Sequence, residues 1–127
     1  MLYSILCYNV ESIVSGWSRE QDAAVMEKHF AIQEKIAQAG KLGPVVRLLP
    51  TTTATTVRGG DKPLVVDGPF AETKEQLLGF YVVDCESLDE VIEMAKQFAM
   101  PHGAMEIRPI MYFSQANVPA SSLQKDS

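Results

Sequence analysis

With 127 residues, the chain is one domain of ordinary size, long enough to bury a core without disulfide or metal staples. At 46% hydrophobic and 21% charged residues it resembles neither a disordered nor a membrane protein, and no apolar run approaches the roughly 20 residues that span a bilayer. A net charge of −5 with no basic cluster excludes a phosphate-backbone binder, so no nucleic-acid or membrane partner is expected.

The chain opens on a strand over residues 2–8, without the basic flank and small-residue cleavage site of a signal peptide. Cys7 and Cys85 both lie in apolar strand-like runs, where a free thiol acts as a small hydrophobe, and the expected setting is a reduced, cytoplasmic one. Sequence leaves a Cys7–Cys85 disulfide open. About ten residues of loop follow the strand and contain Trp17. Ser18-Arg19-Glu20-Gln21 is a capping box that starts a helix running to about Ala39, and Gly40 ends it. Val25, Met26, Phe30, Ile32 and Ile36 recur at helical spacing and predict one buried face, with His29 near its middle.

Leu42 to Leu49 reads as a second strand, and Pro44 near its start puts it at an edge or a bulge. Thr52 to Arg58 is extended, Gly59-Gly60-Asp61-Lys62 is a hairpin loop, and Leu64-Val65-Val66 is the returning arm. Leu77 to Val83 is nearly all apolar and predicts a central strand. Ser87-Leu88-Asp89-Glu90 is a second capping box, followed by the stripe Leu88, Val91, Ile92, Ala95 and Phe98. Ala104 to Phe113 reads as the last strand, with Pro109 marking an edge, and residues 114–127 as a polar tail. The domain is therefore placed at 1–113.

This order predicts an α+β, ferredoxin-like βαββαβ fold with an extra hairpin, an antiparallel sheet and both helices on one face. The runs at 77–83 and 104–113 are apolar on both sides. A cover for the second sheet face is needed, and a second copy of the chain is the simplest one.

Ala54-Thr55-Thr56-Val57-Arg58, together with Val66-Asp67-Gly68-Pro69-Phe70-Ala71-Glu72-Thr73-Lys74-Glu75-Gln76-Leu77, resembles the signature of the YCII-related, DGPF-domain family. Gly79-Phe80-Tyr81, the helix from Ser87, and Glu106-Ile107-Arg108-Pro109-Ile110 are similar to it as well. The resemblance covers roughly residues 1–113. It implies a dimeric α+β barrel, hence a homodimer. For function it implies a His with an acidic partner as an active site. It also implies a regulatory alternative, through family members linked with extracytoplasmic-function sigma factors.

His29 matches the family's first-helix histidine by its spacing to Gly40. An imidazole on a buried face needs a hydrogen-bond partner or a cavity, and its pKa range suits acid–base work. The bland reading is a satisfied core histidine, and no carboxylate lies three or four residues away on the helix. Asp67 is the candidate orienting carboxylate; its bland role is to bond its own turn, with Pro69 fixing φ and Phe70 anchoring the clasp. Related members carry Asp-Pro where this chain has Met100-Pro101-His102, which bears on the proposed His–Asp pair. Glu106 and Arg108 alternate onto one face of the last strand, about 7 Å apart by strand rise. They would bind an anionic ligand inside a barrel or pair across a dimer seam. Trp17 and Tyr81 are pocket-lining or packing aromatics. Glu72, Lys74 and Glu75 read as a solvated face. No CxxC, metal-ligand spacing, phosphate loop or nucleophile triad occurs, so no cofactor is expected.

The resulting expectation is a small-molecule-binding domain with His29 as acid–base group, Asp67 as its orienting partner and Arg108 as anion anchor, at a cavity in a dimer interface. The alternative is a non-catalytic regulatory or interaction protein, transcription-associated and sigma-factor-linked.

Overall fold

Period-two alternation in the first strand, β1 (Leu2–Val10), turns Tyr3 and Ile5 into the core while Leu2, Ser4 and Leu6 stay half-buried on the opposite face. A computed structural model describes residues 1–115, and most of the tail read over 114–127 lies outside the described residues. Five further strands follow: β2 (Leu42–Arg47), β3 (Thr55–Arg58), β4 (Leu64–Asp67), β5 (Glu75–Asp84) and β6 (Ala104–Pro109). The helices are α1 (Glu11–Ser15), α2 (Arg19–Gln38) and α3 (Leu88–Phe98). One antiparallel sheet runs β2-β5-β1-β6, and β3 with β4 forms a separate two-stranded hairpin. The fold is α+β and ferredoxin-like with an added hairpin. The apolar run of β5 sits beside β1 at the centre, and both prolines fall in the edge strands β2 and β6, where a missing N–H costs no ladder bond.

Both long helices pack on the Tyr3 face. Ile32 and Ile36 of α2 join Val91, Met94, Ala95 and Phe98 of α3 over Tyr3, Ile5, Tyr81 and Val83. The first capping box is complete: Gln21 N–H donates to Ser18 Oγ at 3.1 Å and Ser18 N–H to Gln21 Oε1 at 2.8 Å. The second is half a box. Glu90 N–H donates to Ser87 Oγ at 3.3 Å, but the Glu90 carboxylate turns to Lys41 and to the Glu86 N–H instead of the Ser87 backbone. Gly40 ends α2 at φ 74°, the left-handed region that glycine enters without a Cβ clash.

Several boundaries differ from the sequence reading. The strand expected over 2–8 runs on to Val10, and α1 replaces much of the loop before Trp17. Five residues without a side-chain cap are too few for helical periodicity to register. β2 stops at Arg47 and β6 at Pro109, so the expected stretches to Leu49 and Phe113 are too long. The expected strand from Thr52 starts with a 3-10 turn over Thr51–Thr53. Phe30 is 57% exposed: the buried stripe of α2 passes through Val25, His29, Ile32 and Ile36, and Phe30 is a third of a turn away from it. Leu88 opens α3 at an exposed position.

Candidate functional site

Where α2 crosses β1, β2 and β5, the helix and the sheet leave a cavity of about 100 Å³. Two features of the sheet create it. Opposite Cys7 the β1–β5 register slips by one residue, so that Leu78 is the extra residue of a bulge. Next to the bulge stands Gly79, whose missing side chain lets β2 close in: a Cβ there would lie 2.2 Å from the Val46 carbonyl oxygen. Both Leu78 and Gly79 line the cavity.

His29 and Tyr81 form its polar wall, with Nδ1 of the imidazole 3.1 Å from the tyrosine hydroxyl. Phe98, fully buried, holds both rings. Tyr81 stacks on it with centroids 4.1 Å apart, and His29 meets it edge-on at 5.5 Å. Burial pushes the Tyr81 phenol up to about 12, so the hydroxyl keeps its proton at neutral pH. Burial, with the charges of Lys28 and Arg47, lowers the His29 pKa below its ordinary value and favours the neutral imidazole. Two neutral groups then share one hydrogen bond. Either the hydroxyl donates to Nδ1, leaving Nε2–H as a donor, or Nδ1–H donates to the hydroxyl oxygen.

Further polar groups complete this wall. Gln33 is one turn on from His29, on the same helix face. Asn9 is buried and accepts from the Val10 N–H at 2.7 Å. Cys7 also lines the cavity, but burial pushes its thiol up to about 12, which makes it a poor nucleophile. The remaining lining is largely apolar and includes Trp17, Val25, Met26, Val45, Met100 and Met105. Arg47 lies at the side, bonded through Nη2 and Nη1 to Asp22 Oδ1 and Oδ2 at 2.6 and 3.2 Å.

Of the sequence candidates, the fold brings together His29, Tyr81 and Trp17. Asp67 is elsewhere. It is exposed at the end of β4, pairs with Thr55 across the hairpin, and is not among the cavity-lining residues. The next residue, Gly68, takes φ 103° and donates to the Ala54 carbonyl at 2.8 Å, while Phe70, the expected anchor of the clasp, is 73% exposed with the Arg58 guanidinium 5.2 Å over its ring. Glu106 and Arg108 alternate with Met105 and Ile107, which pack on the core, so the pair points to the sheet face away from the helices. Both are exposed, and no ion pair among the described residues involves either. Within one chain the partner of His29 is a phenol and not a carboxylate.

A family model described as the YCII-related domain matches residues 1–114. The chain belongs to the YCII-related family. It is also 50% identical over 124 residues to an uncharacterized protein of Rhizobium meliloti (strain 1021), a match covering 94% of this chain and 100% of that relative. The YCII-related domain thus spans every strand and helix described above.

Sequence reading missed Arg47, Gln33 and Phe98 as parts of this site. Gln33 carried a signal, because it lies four residues from His29. Arg47 carried a weaker one, as a single basic residue in an apolar edge strand. Phe98 read as a core residue, which it is. Among the described residues, no group of three or more His, Cys, Asp or Glu side chains could hold a metal, both cysteines are free, and no helix is long and apolar enough to cross a membrane.

Proposed function

We propose that this YCII-related chain is a homodimeric small-molecule-binding domain whose ligand occupies the cavity under α2, with His29 and Tyr81 as its acid–base pair. The 3.1 Å contact between the two, on the wall of a largely apolar cavity, carries this reading. A neutral imidazole at neutral pH can accept a proton from the ligand. The protonated phenol can donate to an oxygen that gains charge. Because Tyr81 and Phe98 already orient the imidazole, no carboxylate is required for that task.

Support for the second copy comes from the β3–β4 hairpin. A two-stranded hairpin is marginally stable on its own, yet Val57, Leu64, Val65 and Val66 are between 42% and 65% exposed in the β3–β4 ribbon. Its foot is tied to the body by Glu11, which accepts from Thr51 N–H at 2.9 Å and from the Thr51 hydroxyl. Covering the ribbon and the outer sheet face with a second copy removes this apolar surface from water. In that arrangement Glu106 and Arg108 lie at the seam or inside the barrel. The exposed ribbon also supports a second reading, a regulatory or interaction protein that uses it to bind a different partner.

A thermal-shift screen of small metabolites on the wild type, His29→Ala and Tyr81→Phe tests the first reading. A ligand that stabilises the wild type and loses that effect in both variants supports it. Equal stabilisation of all three proteins removes His29 and Tyr81 from the site.

A further inference from the structure

We infer that the ligand of the His29–Tyr81 cavity is a small carboxylate with a short apolar body, and that Arg47 receives its carboxylate. This rests on the cavity reading above and names the class of molecule that fits it. Among the described residues that line the cavity, Arg47 is the one with a full formal charge, and none is an Asp or Glu. An ammonium compound would meet this cation with no lining anion to offset it, whereas a carboxylate meets a guanidinium that carries Asp22 on one edge only.

The guanidinium is held for the task. Asp22 engages one N–H of each terminal nitrogen, at 2.6 and 3.2 Å. A guanidinium has five N–H donors, so Nε–H and one N–H on each terminal nitrogen remain for a second carboxylate. The Arg47 side chain is 49% exposed, so an incoming anion can reach it. Arg47 and His29 both line this cavity, so one bound ligand can face the two of them. The rest of the lining offers aliphatic, thioether and indole surface and so suits a hydrocarbon body. A volume of about 100 Å³ limits that body to a short chain, well below the roughly 300–1,000 Å³ of pockets for drug-sized ligands.

The test uses 3-methylbutanoate and its amide, two probes of matched shape and different charge. Trp17 is the only tryptophan in the chain and lines the cavity, so its fluorescence reports binding directly. The acid is expected to bind the full-length protein about 10-fold or more tightly than the amide, the range of a charge-assisted hydrogen bond. Arg47→Gln should abolish that preference, weakening the acid about 10-fold more than the amide. Added salt should weaken the acid and spare the amide in the wild type, a readout that needs no variant. Equal wild-type affinities, or a preference that survives Arg47→Gln, overturn the inference and leave the cavity reading standing. Binding of neither probe overturns both.

Discussion

The hydroxyl of Tyr81 lies 3.1 Å from Nδ1 of His29, although the two residues are 52 positions apart in the chain. One is on the central strand and the other on the helix above it, and Phe98 packs against both rings. The consequence is an imidazole presented to a cavity in a fixed orientation, with a neutral partner that stays protonated.

The first prediction concerns pH. Because the folded-state pKa of His29 is lowered, the unfolded chain binds a proton that the folded chain refuses between that value and about 6.5. Stability therefore falls as pH drops from about 7 through this window, and is unaffected by this group above it. His29→Gln should flatten that part of the curve of Tm against pH. An identical slope in the variant would show that His29 is not the responsible group.

Removing the tyrosine hydroxyl should be read by the histidine. Tyr81→Phe deletes a hydrogen bond worth about 1 kcal/mol and leaves the stack on Phe98 in place. In an NMR titration of the His29 ring, the variant midpoint should rise toward the ordinary value if the hydroxyl is the donor to Nδ1. A midpoint that falls further would mean that Nδ1–H is the donor, because that bond is stronger to the imidazolium.

Gly79→Ala tests the close approach that shapes the cavity. The new methyl would lie 2.2 Å from the Val46 carbonyl oxygen, a backbone atom that cannot swing aside. The expected loss is about 1–3 kcal/mol or more, the cost of overpacking, measured as a lower denaturation midpoint with an unchanged slope. Wild-type stability in this variant would mean that β2 sits further from β5 than described.

Phe98→Ala should be among the most damaging core changes, at about 3–5 kcal/mol, because the ring is fully buried. The milder Phe98→Leu should fold and still alter the His29 ring resonances, since the edge-on contact at 5.5 Å is lost. Unchanged resonances would deny Phe98 a positioning role.

For the assembly, light scattering at micromolar concentration should give the mass of two chains. A double substitution of Leu64→Glu and Val66→Glu on the exposed ribbon should give one. A wild-type monomer would undercut the barrel reading, and a dimer that tolerates both glutamates would move the interface off the hairpin.

What the sequence determined by itself is local or cumulative. Ser18 with Gln21 and Ser87 ahead of Glu90 start the two long helices because a side-chain oxygen meets an orphan N–H only a few residues away. Gly40 ends one of them, the apolar run of β5 makes it central, and the Asp67-Gly68-Pro69-Phe70 stretch marks the family. Those signals rest on spacings of one to four residues or on long apolar runs, and such spacings survive in any tertiary arrangement. The partner of His29 does not follow from them. It depends on the register of β1 against β5, the bulge at Leu78, the close pass of β2 over Gly79 and the rotation of α2 about its axis. Each of these is set by packing between segments far apart in the chain. Only the tertiary structure could therefore turn the expected histidine–carboxylate pair into a histidine facing a tyrosine, and leave Asp67 out on the hairpin.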